Sequence, residues 1–152
     1  MGSEASRALV GGALTLLVAL AVLTRQTMRI PSQDPDRLVA ELRLAQAAAV
    51  LLAFSAAFIA GLAASSPGPV VALDMAAAVL CCGLALMTLV RDPRAALAWL
   101  AGAFVVRALT DVAHLPSWLP TTTAPVVHAG SAAANLVAAA LVALPLLRST
   151  TR

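Results

Sequence analysis

Apolar residues fill this chain in long unbroken stretches, without the period-two alternation of a half-buried strand or the single stripe of an amphipathic surface helix. Five such runs, Ala8 to Thr24, Leu44 to Ala64, Val70 to Val90, Ala95 to Leu115 and Val126 to Leu147, are separated by short polar segments. A helix needs about 20 apolar residues to cross a hydrocarbon core of about 30 Å. The first run sits at the short end of that requirement and the others meet it. The expected fold is an all-α integral membrane protein, a compact bundle of five transmembrane helices forming a single domain over residues 1–152.

The segments between the runs carry helix punctuation. Asp34 and Pro35 resemble a cap and first-turn proline ahead of the second run, so that helix is expected to start before the membrane and project from it. SSPGP, before Val70, cannot continue a helix and predicts a tight reversal. Asp92 and Pro93 in RDPR can begin the fourth helix, and the threonines and proline of PSWLPTTTAP suit the start of the fifth. Pro145 is expected to bend or fray only the last turn of that helix.

Composition agrees with a bilayer location: 61% of residues are hydrophobic and 11% charged, against about 45 to 50% and about 25% for a soluble domain. No stretch remains for a soluble catalytic domain. The net charge is +3, but the basic residues are all arginines, scattered in short loops with no interleaved aromatic patch. Nucleic acid is therefore excluded as an expected partner. The arginine bias points to a GC-rich bacterial genome, and with the five runs it places the chain in a bacterial plasma membrane.

The arginines also set an expected orientation, because basic loops tend to stay in the cytoplasm. Arg25, Arg29, Arg37 and Arg43 lie between the first two runs, Arg91 and Arg94 between the third and fourth, and Arg148 and Arg152 in the tail. Those segments alternate onto one side, and only Arg7 falls on the other. The N-terminus is expected outside and the C-terminus inside. A cleaved signal peptide ending near Ala19, Leu20 and Ala21 is the rival for the first run, but its usual orientation would export the four-arginine segment.

Several features have ordinary membrane roles. Trp99 and Trp118 suit interfacial anchoring, and Cys81 and Cys82, adjacent in an apolar run, read as small buried hydrophobes. Gly130, Ala134 and Ala138 recur at four-residue spacing, which lets helices approach closely in lipid. Partners, beyond lipids, would be other membrane subunits or further copies of the chain meeting lipid-facing helices.

One polar cluster breaks the apolar pattern. In RALTDVAH, Arg107, Asp111 and His114 fall within about 60 degrees on a 3.6-residue helix, and His128, Ser131 and Asn135 make a stripe of about the same width on the next. Asp74, about one turn into the third run, can join them or cap its own helix start. An intramembrane charge costs about 2.5 to 3.5 kcal/mol on insertion scales, so such residues face the interior and find partners.

The plainest interpretation is an Arg107–Asp111 ion pair with histidine and asparagine hydrogen bonds that fix helix packing. Alternatively, His114 and His128 could ligate haem or a metal ion, with Asp111 orienting a histidine and Arg107 meeting a propionate. No CxxCH or HExxH motif accompanies them. A third reading is a proton-linked small-ligand transporter, since a histidine beside an acid changes charge near neutral pH. Acyl transfer by Ser131 and His128 lacks a nucleophile motif or oxyanion-hole pattern. The leading functional expectation is a non-enzymatic subunit or accessory factor of a membrane complex.

Orientation can be checked in a variant lacking Cys81 and Cys82. A cysteine introduced at the N-terminus should react with an impermeant maleimide on intact cells, and one at the C-terminus only after the membrane is opened. The opposite labelling pattern would refute the arginine count as the determinant.

Overall fold

The computed structural model describes residues 3–64, 70–115 and 125–150, and all the regular structure in these residues is helical. Five helices follow in order: α1 (Ser3–Arg29), α2 (Pro35–Ala64), α3 (Val70–Thr88), α4 (Pro93–His114) and α5 (Pro125–Thr150). The SSPGP reversal at 65–69, the connection at 116–124 with Trp118, and Arg152 lie outside the described residues.

Local chemistry accounts for the helix starts. The Asp34 carboxylate accepts the Asp36 N–H at 2.9 Å, and Pro35 opens α2 where a missing N–H costs no intrahelical bond. Asp92 repeats the arrangement, accepting from the Arg94 and Ala95 N–H groups at 3.0 and 3.2 Å with Pro93 in the first turn of α4. Pro125 opens α5. As expected, α2 begins well before Leu44, and its polar start continues the helix beyond the apolar run.

Helices α1, α2, α4 and α5 are long and apolar enough to cross a membrane. The 19 residues of α3 reach about 28 Å at about 1.5 Å per residue, slightly under a hydrocarbon core of about 30 Å. The apolar outer faces of the helices carry Val10, Leu14, Val18, Leu80, Val106, Leu109 and Leu147, all well exposed. Such an exterior is stable against lipid tails and unfavourable against water.

The second helix occupies the middle of the bundle and touches each of the other four, whereas α3 touches only α2 and α4 among the described residues. Its inner face is alanine-rich, with Ala45, Ala48, Ala49 and Ala56 buried. Short side chains there allow close helix approach, and dispersion contacts hold the helices where no water is expelled. Leu44 and Leu52 of α2, Leu97, Leu100 and Phe104 of α4, Val142 of α5 and Leu20 of α1 complete the core. Leu20 is fully buried within the uninterrupted α1 and packs in this core.

The small-residue stripe on α5 does not act as a unit. Ala138 is fully buried and Ala134 partly so, but Gly130 is exposed and a Cβ added there would meet nothing within 4 Å. Close packing thus accounts for the inner part of the stripe only. Cys81 and Cys82 are free thiols, both partly buried, as small apolar side chains can be.

Pro145 does not fray the helix as its position suggested, for α5 continues to Thr150 and the proline is fully buried. A proline at position 145 removes the N–H that would have bonded the carbonyl of Leu141, four residues earlier. The hydroxyl of Thr24 on α1 supplies a replacement, donating to the Leu141 oxygen at 3.2 Å while lying 2.9 Å from the Leu20 carbonyl of its own helix. The helix defect has become a contact between the first and last helices.

This compensation predicts a coupling. Thr24→Val should cost about 1 kcal/mol in the parent chain, the usual net value of a hydrogen bond, as read from denaturant unfolding in detergent micelles. In a Pro145→Ala background the alanine N–H takes the Leu141 carbonyl itself, so Thr24→Val should cost close to nothing. An equal cost in both backgrounds would disprove the compensation.

Candidate functional site

Where α3 begins, α4 ends and α5 begins, the bundle brings all seven residues of the predicted polar cluster together. Asp111 is the centre. It is wholly buried, and its two oxygens face four donors: Arg107 Nη2 at 3.2 Å and His128 Nδ1 at 3.4 Å on Oδ1, Ser131 Oγ at 2.6 Å and Asn135 Nδ2 at 3.2 Å on Oδ2. Asn135 also donates to Ser131 Oγ at 3.2 Å. Arg107 reaches Asp111 along its own helix at i,i+4, while the other three donors project from α5.

The histidines stack on one another. Their ring centroids lie 4.5 Å apart with planes inclined by 9°. His114 Nδ1 is 2.7 Å from the Thr110 carbonyl oxygen, which can only accept, so that nitrogen carries a proton. His128 Nδ1 likewise faces a carboxylate. His114 Nε2 points toward Asp74 Oδ1 on α3, at 3.9 Å, an electrostatic contact longer than a hydrogen bond. Among the described residues this nitrogen and Arg107 Nε are buried without a hydrogen-bond partner.

Asp74 therefore sits beside His114 and extends the cluster to a third helix. Buried ionisable groups on three helices are costly to insert singly, and their mutual contacts offset that cost once the helices assemble. Stacked imidazoles direct their nitrogen lone pairs along parallel planes, since each lone pair lies in its ring plane. As they stand, the two rings do not converge on one ion at about 2.0 to 2.1 Å, and no group of three His, Cys, Asp or Glu side chains among the described residues is arranged to hold a metal. Arg107 is engaged with Asp111, and the Ser131 hydroxyl donates to Asp111 instead of to His128.

At the opposite end, a second polar network escaped the sequence reading. Glu41 of α2 is almost wholly buried and accepts from Arg37 Nε at 2.8 Å and Arg94 Nε at 3.1 Å. Arg37, also buried, donates through Nη1 to the carbonyls of Thr27 and Ile30 at 2.7 and 2.9 Å, and through Nη2 to Pro145 O at 3.4 Å. The first two carbonyls lie at and just beyond the C-terminal end of α1, where carbonyls run short of intrahelical donors; the Thr27 oxygen also accepts from the Ile30 N–H at 3.3 Å. One guanidinium thus ties α1, α2 and α5, and Glu41 adds α4.

A signal for this network was present. Glu41 lies three, seven and eleven residues before Leu44, Ala48 and Leu52, on the buried face of α2, and Arg37 precedes it by one helical turn. By charge alone Arg37 and Arg94 mark topology, and Glu41 belongs to a polar helix start.

No protein-family model matches this chain, and neither a curated protein nor a solved structure matches it.

Asp111→Asn should lower stability by about 3 kcal/mol, because it leaves the buried Arg107 charge without its counter-ion. Ser131→Ala, which removes one neutral donor, should cost only about 1 kcal/mol. Thermal unfolding in a mild detergent compares the two. Equal midpoints for both variants would show that Asp111 is not the hub.

Proposed function

We propose that this chain is a non-enzymatic polytopic membrane protein, a subunit or accessory factor of a larger membrane complex, whose Asp111 cluster clamps its helices. It forms one five-helix domain that crosses a bacterial plasma membrane five times, N-terminus outside and C-terminus inside. The observation that supports this reading is the saturation of the Asp111 carboxylate by donors from its own bundle. A carboxylate so occupied spends its hydrogen-bonding capacity on holding α4 against α5, and leaves little for a substrate. The parallel histidine rings support the same reading over haem or metal ligation. Partners would meet the lipid-facing helices.

A second reading, a proton-linked small-ligand transporter, is favoured by one feature. His114 Nε2 and the Asp74 carboxylate face each other across 3.9 Å at the end of the bundle, and intramembrane ionisable residues placed together in this way often line proton paths.

Extraction from the native membrane in mild detergent separates these. The accessory-subunit reading expects a discrete assembly with a second membrane protein in fixed stoichiometry, retained in His114→Ala and His128→Ala. A monomer or homo-oligomer would overturn it; haem absorption or stoichiometric metal, lost in both histidine variants, would instead assign a cofactor site. In vesicles loaded with a pH-sensitive dye, proton entry down an imposed gradient that disappears in Asp74→Asn would identify the transporter. Equal flux in parent and variant would dismiss it.

A further inference from the structure

Away from both polar clusters, an open apolar groove of about 590 Å³ runs between α3 and α4, lined by Leu80, Cys81, Leu84, Trp99, Gly102 and Val106 among others. From Trp99 to Val106 it follows α4 for about 10 Å at about 1.5 Å per residue, which fits within one leaflet of a hydrocarbon core of about 30 Å. Its lining offers almost no polar surface.

Its mouth is different. The guanidinium carbon of Arg91, in the connection between α3 and α4, lies 5.4 Å from the centroid of the Trp99 ring. Both side chains are exposed, and tryptophan at such a position marks the membrane interface. The guanidinium over the ring makes a cation–π contact, and its five N–H donors can also pair with two oxygens of a phosphate. Among the described residues no carboxylate pairs with Arg91. Neighbouring Asp92 is engaged with the N–H groups of Arg94 and Ala95, and Arg94 with Glu41.

We propose that this groove binds one anionic phospholipid, its acyl chain lying between α3 and α4 and its phosphate held by Arg91 against Trp99. The cation at the mouth and the one-leaflet apolar channel behind it complement the two parts of such a molecule. Anionic headgroups attract juxtamembrane basic residues. A second copy of the chain is a poorer occupant, since an apolar helix laid in the groove would bring no counter-charge to Arg91.

The test uses the full-length protein, purified in mild detergent, delipidated and titrated with phosphatidylglycerol or phosphatidylcholine under native mass spectrometry. The parent should retain one phosphatidylglycerol about tenfold more tightly than phosphatidylcholine, a difference of about 1.4 kcal/mol. Arg91→Gln should erase that preference while leaving chain binding in place. Gly102→Leu should weaken both lipids about tenfold, because a Cβ there meets nothing within 4 Å and the larger side chain fills the groove without disturbing the core. Gly130→Leu, at an equally open position on α5, should change nothing.

Unaltered lipid retention in both Arg91→Gln and Gly102→Leu would overturn the assignment. So would conversion of a dimer to a monomer by Gly102→Leu with lipid binding intact, which would give the groove to a second copy.

Discussion

A polar group removed from water inside a bilayer has no partner except the protein itself, and that constraint organises this bundle from end to end. At one end Asp111 gathers Arg107, His128, Ser131 and Asn135, with Asp74 and His114 alongside. At the other Glu41 gathers Arg37 and Arg94, and Arg37 spends its remaining donors on backbone carbonyls. Between them the core is Leu, Ala, Val and Phe. Apolar contact gives little directional preference among helices in lipid, so the two polar ends fix which helices meet and in which rotational setting.

The same constraint operates on the backbone. Pro145 leaves a carbonyl without its donor in the interior of α5, and Thr24 answers it from α1. Arg37 answers the carbonyls at the end of α1 and the carbonyl of Pro145 itself. The first helix packs through buried Leu20 with Leu16, Leu17 and Leu23 partly buried beside it, and these oxygen atoms add polar ties to α2 and α5. Helix α3 is held differently, by packing on α2 and α4 and by Asp74 reaching His114.

Much of this was visible in the sequence because the signals are local. Long apolar runs announce helices of bilayer length, and Asp–Pro pairs mark where α2 and α4 begin. The stripe formed by Arg107, Asp111 and His114 could be set against His128, Ser131 and Asn135 because both lie on single helices joined by one connection. What periodicity could not supply was the relation between helices. The ring stacking of the two histidines depends on the rotation of α4 against α5, and the rescue of Leu141 by Thr24 joins residues 117 positions apart. Glu41 was missed for another reason. It lay in a segment interpreted through charge counting, where an acid contributes little to topology, although its spacing to Leu44, Ala48 and Leu52 put it on the buried face.

The distribution of polar contacts also separates what this protein holds fixed from what it presents outward. Asp111 and Glu41 are enclosed by partners from their own chain, so substitution there acts first on folding. The groove beside Trp99 is open, apolar and bordered by Arg91, a cation that the bundle does not use for its own assembly. Among the described residues no carboxylate pairs with Arg91, so its charge is available to a group outside. In a helical membrane protein with short connections, the nearest abundant counter-charge is the phosphate of the surrounding lipid. Stability and external recognition therefore occupy separate residues, and a substitution at Arg91 or Gly102 can probe recognition without touching the two networks that hold the helices together.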